Sequence, residues 1–390
     1  MSPLRRRAGR ERLSVVTENG HRDMTAFVES CVETVAGSAV AAERRSRGRP
    51  KACKLLKLLA GKQRILVTTH QHPDPDGLAS ALAMRTLLSE NLPKSKIHLS
   101  VKGHVGGGIN EAFVRYAGLD LTDWNDEKLS EYDAIILLDT QPSFSYSPLP
   151  PEVKPLAVID HHGAVGHRRS LPFVDIRSDV GATSSIVFSY FMETETPITP
   201  QLAASLLYGL ETDLAGAAGT PAELDNIALS SLTLLADTRR LYQMRYVDLP
   251  RSYYIAYAQG LATARWHEHA LVSHLQAIDS LEKPAVLADF LLRFDQVDWV
   301  LTTAIYESRM ILSLRTSNTK VSAASVMKKL VRGIGQGGGH RAKAGGFIPL
   351  KTNSTIELEK VRAVLLHRYL RSLDIKTSAG EPLVPPVAAE

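Results

Sequence analysis

A chain of 390 residues, 44% hydrophobic and 22% charged, has ordinary globular composition and is too long for one small core, so two domains are expected. Its two cysteines, Cys31 and Cys53, exclude a disulfide framework and a paired-cysteine metal site, which points to a reducing, cytoplasmic setting. No apolar run approaches the roughly 20 residues of a membrane helix, so no membrane partner is expected. The pI near 9.1 suggests polyanions only until the charge is located. Residues 1–54 carry twelve Lys or Arg against six Asp or Glu, which leaves the rest of the chain near neutral.

Residues 1–53 read as a basic extension, disordered or partly helical: 1–23 lack apolar periodicity, and Thr25 to Ala42 permits a helix. A polyanion-contacting arm and a true start at Met24 are the alternatives for its first part. The first domain spans 54–238, with a helix over Cys53 to Leu59 and a strand over Ile65 to Thr69 that runs into His70-Gln-His72-Pro-Asp74-Pro-Asp76-Gly77. A helix follows, then a strand over Ile97 to Val101, a turn through Gly103 to Gly108 and a helix over Ile109 to Ala117. Strands over Ala134 to Leu138 and Leu156 to Ile159 close in Asp139 and in Asp160-His161-His162, and three helices complete the domain. This αβ alternation predicts a doubly wound, mostly parallel sheet. Arg239 to Pro250 reads as an interdomain linker, 251–373 as a smaller α/β domain and 374–390 as a disordered tail. In the second domain strands are expected over Ala285 to Phe290, Trp299 to Tyr306 and Met310 to Leu314, with a glycine-dense loop from Gly333 to Gly346. Trp266-His267-Glu268-His269 is read as a solvated helix face rather than a metal motif, because residues two apart on a helix do not face each other.

In a parallel sheet all strand C-termini open on one edge, so His70, Asp74, Asp76, Asp139, Asp160, His161, His162 and Asp213 should converge in one crevice. That many carboxylates cannot share a crevice ionised without cations, and mixed Asp and His donors suit Mn²⁺, Zn²⁺ or Fe²⁺. Singly, an Asp closing a strand is more often a cap or turn former. It is the convergence, and the three donors within seven residues of the first loop, that argue for metal. The run Gly335-Gln-Gly337-Gly338-Gly339-His340-Arg341-Ala-Lys343 allows backbone N–H groups close to a phosphate, with His340, Arg341 or Lys343 adding charged donors and Arg315 available as a bidentate clamp. A loop that merely needs positive φ angles is the competing reading.

Together these motifs resemble the DHH phosphoesterase family and its DHH-associated C-terminal domain, and within it the oligoribonuclease (nano-RNase) and phosphoadenosine-phosphate phosphatase group. The resemblance implies two divalent metals, Mn²⁺ by expectation, one held by His70, Asp74 and Asp139 and the other by Asp76, Asp139, His161 and Asp213. Asp160 would orient a histidine, His162 would meet the scissile phosphate, and Arg315, Gly337, Gly338, Gly339 and His340 would anchor a distal phosphate. The expected activity is hydrolysis of short single-stranded oligonucleotides or dinucleotides to mononucleotides, and of 3′-phosphoadenosine 5′-phosphate, by attack of a metal-held hydroxide on phosphorus in the cleft between the domains. A RecJ-type single-strand exonuclease and a catalytically inactive nucleotide-binding module are the alternatives, and a homodimer is an open alternative to a monomer.

Overall fold

The computed structural model describes residues 51–103, 105, 107–163, 171–214, 221–339, 341–376 and 379–385. Nearly all of the basic extension and His340 lie outside the described residues. Helix α1 (Lys51–Leu59) docks against the first sheet through Ala52, Leu55 and Leu59. The first half of the chain then builds β1 (Arg64–Thr68), α2 (Pro75–Asn91), β2 (Lys96–Leu99), α3 (Gly107–Ala117), β3 (Ala134–Leu138), β4 (Ala157–Asp160), β5 (Phe173–Ile176), α4 (Thr183–Thr194), α5 (Pro200–Leu214) and α6 (Glu223–Leu235). The five strands form a parallel sheet in the order β2-β1-β3-β4-β5. The continuous apolar run of β3 is buried at every position, as a central strand covered on both faces requires. Ile65, Val67, Ile136, Leu138 and Ile159 pack against the helices, while Leu66, Ile135, Leu137 and Val158 face Leu129 and Leu149 from connecting segments.

The chain winds from β1 outward to β2 and then returns to the other side of β1 to lay down β3. Between β1 and β3 the strand order reverses, and a crevice opens there at the strand C-termini. The loop carrying His70 to Asp76 and the residue Asp139 both leave the sheet at this point.

The second half contains α7 (Thr238–Arg245), α8 (Arg251–Thr263), β6 (Arg265–His267), β7 (Ala270–Ala277), α9 (Lys283–Leu291), β8 (Trp299–Tyr306), β9 (Arg309–Thr316), α10 (Ala323–Val331), β10 (Gln336–Gly339), β11 (Lys343–Pro349), α11 (Thr355–Ser372) and β12 (Glu381–Pro382). Its sheet is mixed, in the order β10-β11-β9-β8-β7-β6-β12, with only β7 and β8 parallel. Helices α8 and α9 cover one face, and α10 and α11 the other.

Several expectations are corrected. The segment 285–290, expected as a strand, lies within α9: Pro284 starts the helix, and Leu287, Ala288 and Leu291 are buried at helical spacing. Trp266 to His269 forms no helix but the β6–β7 hairpin, turned at Glu268 with φ 54°. The segment read as a linker holds α7, whose first N–H groups, those of Arg239 and Arg240, donate to the Asp237 carboxylate. The glycine-dense loop is a β-hairpin, and part of the tail read as disordered pairs as β12 with β6. Strand β5, too short to register as a separate run, completes the first sheet.

One buried polar pair fastens β5. The Asp175 carboxylate accepts from Arg177 Nε at 3.1 Å, Arg177 Nη2 at 2.7 Å and the Tyr190 hydroxyl at 2.8 Å, and Arg177 is 2% exposed. Removing one member of such a pair strands the other charge in the core, so Asp175→Ala should destabilise the protein by about 3–5 kcal/mol. Urea unfolding measures it, and a loss below about 1 kcal/mol would contradict the burial argument.

Candidate metal and phosphate site

Each candidate side chain is placed by a local structural requirement. Asp74 is the N-cap of α2, accepting the Gly77 N–H at 3.1 Å. Asp76, in the first turn of α2 and 1% exposed, reaches across to the start of α4, where it accepts from the N–H groups of Thr183 at 2.8 Å and Ser184 at 2.9 Å. Asp139 leaves β3 with φ 56°, a conformation unusual for a residue with a Cβ, and accepts the Thr183 hydroxyl at 2.8 Å. Thr183 thus holds two of the acids at once. Asp213 comes from the last turn of a helix, α5, rather than from a strand end. Gly209 permits its approach, since a Cβ there would meet the Pro75 carbonyl oxygen at 2.9 Å.

The side chains gather into overlapping sets. Ligand atoms of His70, Asp74 and Asp139 lie within 4.8 Å of one another, as do those of Asp76, His161 and Asp213, and a third set joins Asp139, His161 and His162. Asp139 belongs to two of these sets, with Oδ2 3.6 Å from His70 Nε2 and Oδ1 3.4 Å from His161 Nε2, the histidine of the remaining set. His161 Nε2 is also 3.1 Å from Asp213 Oδ2. His162 is differently engaged: its Nδ1 lies 2.7 Å from Asp160 Oδ1, and the other oxygen of Asp160 accepts from Gln141 Nε2 at 2.7 Å. Asp160 therefore orients His162, whose ring also meets Phe144 at 5.7 Å and Tyr146 at 6.3 Å.

Electrostatics separates these acids. Burial, reinforced by Asp213, pushes the Asp76 carboxyl up to about 7. Burial and then the neighbouring Asp76 and Asp74 raise Asp139. Burial also opposes ionisation of Asp74 and Asp160, but His70 and His162 respectively outweigh it and hold each carboxyl at about 2. For His161, burial disfavours the charged ring, yet Asp213 and Asp139 prevail and its pKa is raised. The site is thus short of positive charge without a cation, and its mixed imidazole and carboxylate donors fit a divalent metal of the Mn²⁺, Zn²⁺ or Fe²⁺ type.

Beside these sets lies a cleft of about 440 Å³ between the two halves. His161, His162 and Asp213 line one side, and Gly339, Arg341 and Lys343 of the glycine hairpin line the other. Lys343 Nζ donates to the Thr212 carbonyl, next to Asp213. Arg315 is not among the lining residues: its Nε donates to Asp289 at 2.6 Å and its Nη1 to Ser313 Oγ at 2.9 Å. Of the glycines, Gly339 reaches the cleft, while Gly337 lies against α10, where a Cβ would meet Met327 Cγ at 2.8 Å. Gly338 lies between them in β10 and is not among the lining residues, and His340 is outside the described residues. Gln141 and Thr183 had no sequence signal beyond following a strand and opening a helix.

Comparison with known proteins fits this geometry. Residues 64–210 match the family model described as the DHH family, N-terminal domain. An uncharacterised protein of Methanocaldococcus jannaschii is 27% identical over 331 residues, 83% of this chain and 66% of that protein. A probable manganese-dependent inorganic pyrophosphatase of Enterococcus faecalis is 26% identical over 38% of this chain and 48% of its own length. The chain therefore spans about two thirds of the first relative and about half of the second. An exopolyphosphatase-related protein from Bacteroides fragilis shares the fold, with a TM-score of 0.63, 17% identity and coverage of 83% of this chain and 97% of that one. The stretch that matches the DHH family model carries β1 to β5 and all of these donors except Asp213.

Proposed function

We propose that the protein is a manganese-dependent phosphoesterase that hydrolyses short oligonucleotides or dinucleotides to mononucleotides, with 3′-phosphoadenosine 5′-phosphate as a further substrate. The observation that carries this reading is the pair of donor sets in one neighbourhood around Asp139, beside a small cleft where His161 and Asp213 face the cations Arg341 and Lys343. His70, Asp74 and Asp139 would hold one cation, and Asp76, Asp139, His161 and Asp213 the other. Two such cations supply an activated water and neutralise charge on the phosphoryl oxygens. The relatives named as manganese-dependent pyrophosphatases support the choice of metal.

The chain's own residues do the rest. His162, aligned by Asp160 and Gln141 and lining the cleft, is placed to donate a proton to the leaving oxygen. Arg341 and Lys343 bind a second phosphate, with Arg315 opposite Lys343 on the neighbouring strand and paired with Asp289. The small cleft favours short substrates. The pyrophosphatase relatives favour a second reading, in which pyrophosphate itself is cleaved.

Three measurements bear on this. A panel of dinucleotide, long single strand and pyrophosphate, assayed with Mn²⁺, should show turnover highest on the dinucleotide; pyrophosphate as the sole substrate would overturn the reading. Asp139→Ala or His161→Ala should abolish mononucleotide release, while Gln141→Ala, which loosens the aligning Asp160, should cost roughly 10–100-fold. The third concerns pH. Because the Asp76 carboxyl is raised from 3.8 to about 7, the metal-free protein gains from its protonated form and loses that stability as pH rises from about 4 through 7. Mn²⁺ requires the ionised form, so its effect on the unfolding temperature should be larger at pH 7.5 than at pH 5.5, and Asp76→Asn should flatten the metal-free profile. An Mn²⁺ effect equal at both pH values would contradict the assignment of Asp76.

A further inference from the structure

Away from the cleft, the C-terminal ends of α10 and α11 enclose a second concavity of about 470 Å³, lined by Lys329, Arg332, Arg368, Arg371 and Ser372. It shares no lining residue with the cleft. Four of its five residues are cationic, and among the described residues none of the four pairs with a carboxylate. Arg368 is fixed in place: its Nη1 donates to the carbonyl oxygens of Leu330 at 2.7 Å and Arg332 at 2.9 Å, the last turn of α10 and its C-cap. Its guanidinium is therefore held before any ligand arrives.

The surrounding sequence is strongly uneven in charge. Residues 328–372 contain ten Lys or Arg and two Glu, within a folded body that is near neutral as a whole. Charge segregated in this way produces a local field that a near-neutral total conceals. Helix α10 links the two cavities, since Ser322 before its first turn lines the cleft and Arg332 after its last lines the basic concavity. At 1.5 Å per residue that separation is roughly 15 Å.

We propose that this concavity is a second anion site that holds the phosphate backbone of a single-stranded nucleic acid outside the catalytic cleft. Three arginines offer planar, forked donors suited to phosphate oxygens. No aromatic side chain lines the pocket, so the contact is to backbone rather than to stacked bases and is independent of sequence. The identity of the strand rests on the oligonucleotide reading of the cleft; the affinity for clustered phosphates does not.

The test is fluorescence anisotropy in EDTA with labelled single strands of about 12 nucleotides, one of thymine and one of adenine, titrated across salt concentration. The wild type and Asp139→Ala should bind both strands alike. The double reversal Lys329→Glu, Arg371→Glu, both exposed positions, should bind at least about tenfold more weakly and lower the salt slope by about 1.4, at an unchanged unfolding temperature. Should the reversal perturb folding, Lys329→Gln, Arg371→Gln replaces it. Equal affinity of the charge-altered protein overturns the site, and so does binding of inorganic polyphosphate by a wild type that ignores both strands. The cleft reading is judged by mononucleotide release in Mn²⁺ and this one by binding in EDTA, so either can fail alone.

Discussion

The first half of the molecule is governed by one electrostatic constraint: buried carboxylates crowd the open edge of a parallel sheet. Like charges about 5 Å apart repel by roughly 3 kcal/mol at an effective dielectric constant near 20. Asp74 and Asp139 place ligand atoms within 4.8 Å of each other, as do His161 and the acids Asp76 and Asp213. The protein offsets part of this repulsion with its own dipoles and imidazoles. What remains shows in the raised pKa values of Asp76 and Asp139, the two acids most deeply buried among the candidate ligands. A binding site for cations is the arrangement in which that cost becomes useful.

Helix α4 bears most of the burden of keeping the acids in place. Its N-cap, Ala182, has no side-chain acceptor, so the orphan N–H groups of the first turn are satisfied from outside by Asp76. A second buried acid, Asp225, accepts from the Gly181 N–H at 2.8 Å and the Ser185 hydroxyl at 2.6 Å, which fixes the loop that lines the cleft. One helix terminus thus orders both the candidate metal ligands and the wall beside them. Substitutions at Thr183 would therefore act on Asp76 and Asp139 together.

How much of this was legible in the sequence follows from the kind of signal each feature leaves. Apolar runs ending in Asp or His mark β1, β3 and β4, and a parallel sheet brings their ends together, so the gathering of the strand-end donors was legible, whereas the helical origin of Asp213 was not. Gln141, Thr183 and Asp225 act through contacts between segments distant in sequence, which periodicity does not record. The glycine run was visible, but its role was not: Gly337 is shaped by packing under Met327, and only the strand pairing of β10 with β11 turns Gly339 toward the cleft. The pairing of Arg315 with Asp289, in the last turn of α9, left no sequence signal. Local charge segregation over 328–372 was likewise hidden by summing the body as a whole.

The seam between the halves bears on whether the segment 239–250, read from sequence as a linker, can act as a hinge. Glu282, just before α9, accepts from the Ile109 N–H at 3.1 Å and from the Tyr253 hydroxyl, and that hydroxyl accepts the Gly108 N–H at 2.7 Å. Two residues of the second half thereby cap the N-terminus of α3. The same turn of α3 sends Asn110 Nδ2 to the Pro73 carbonyl at 3.3 Å, one residue before Asp74. Opening the cleft by a rotation at 239–250 would have to break these partly buried hydrogen bonds, each worth about 0.5–1.5 kcal/mol. The closed arrangement is therefore favoured by the seam itself, and the donor loop at Asp74 is tied to it through Asn110 and Pro73.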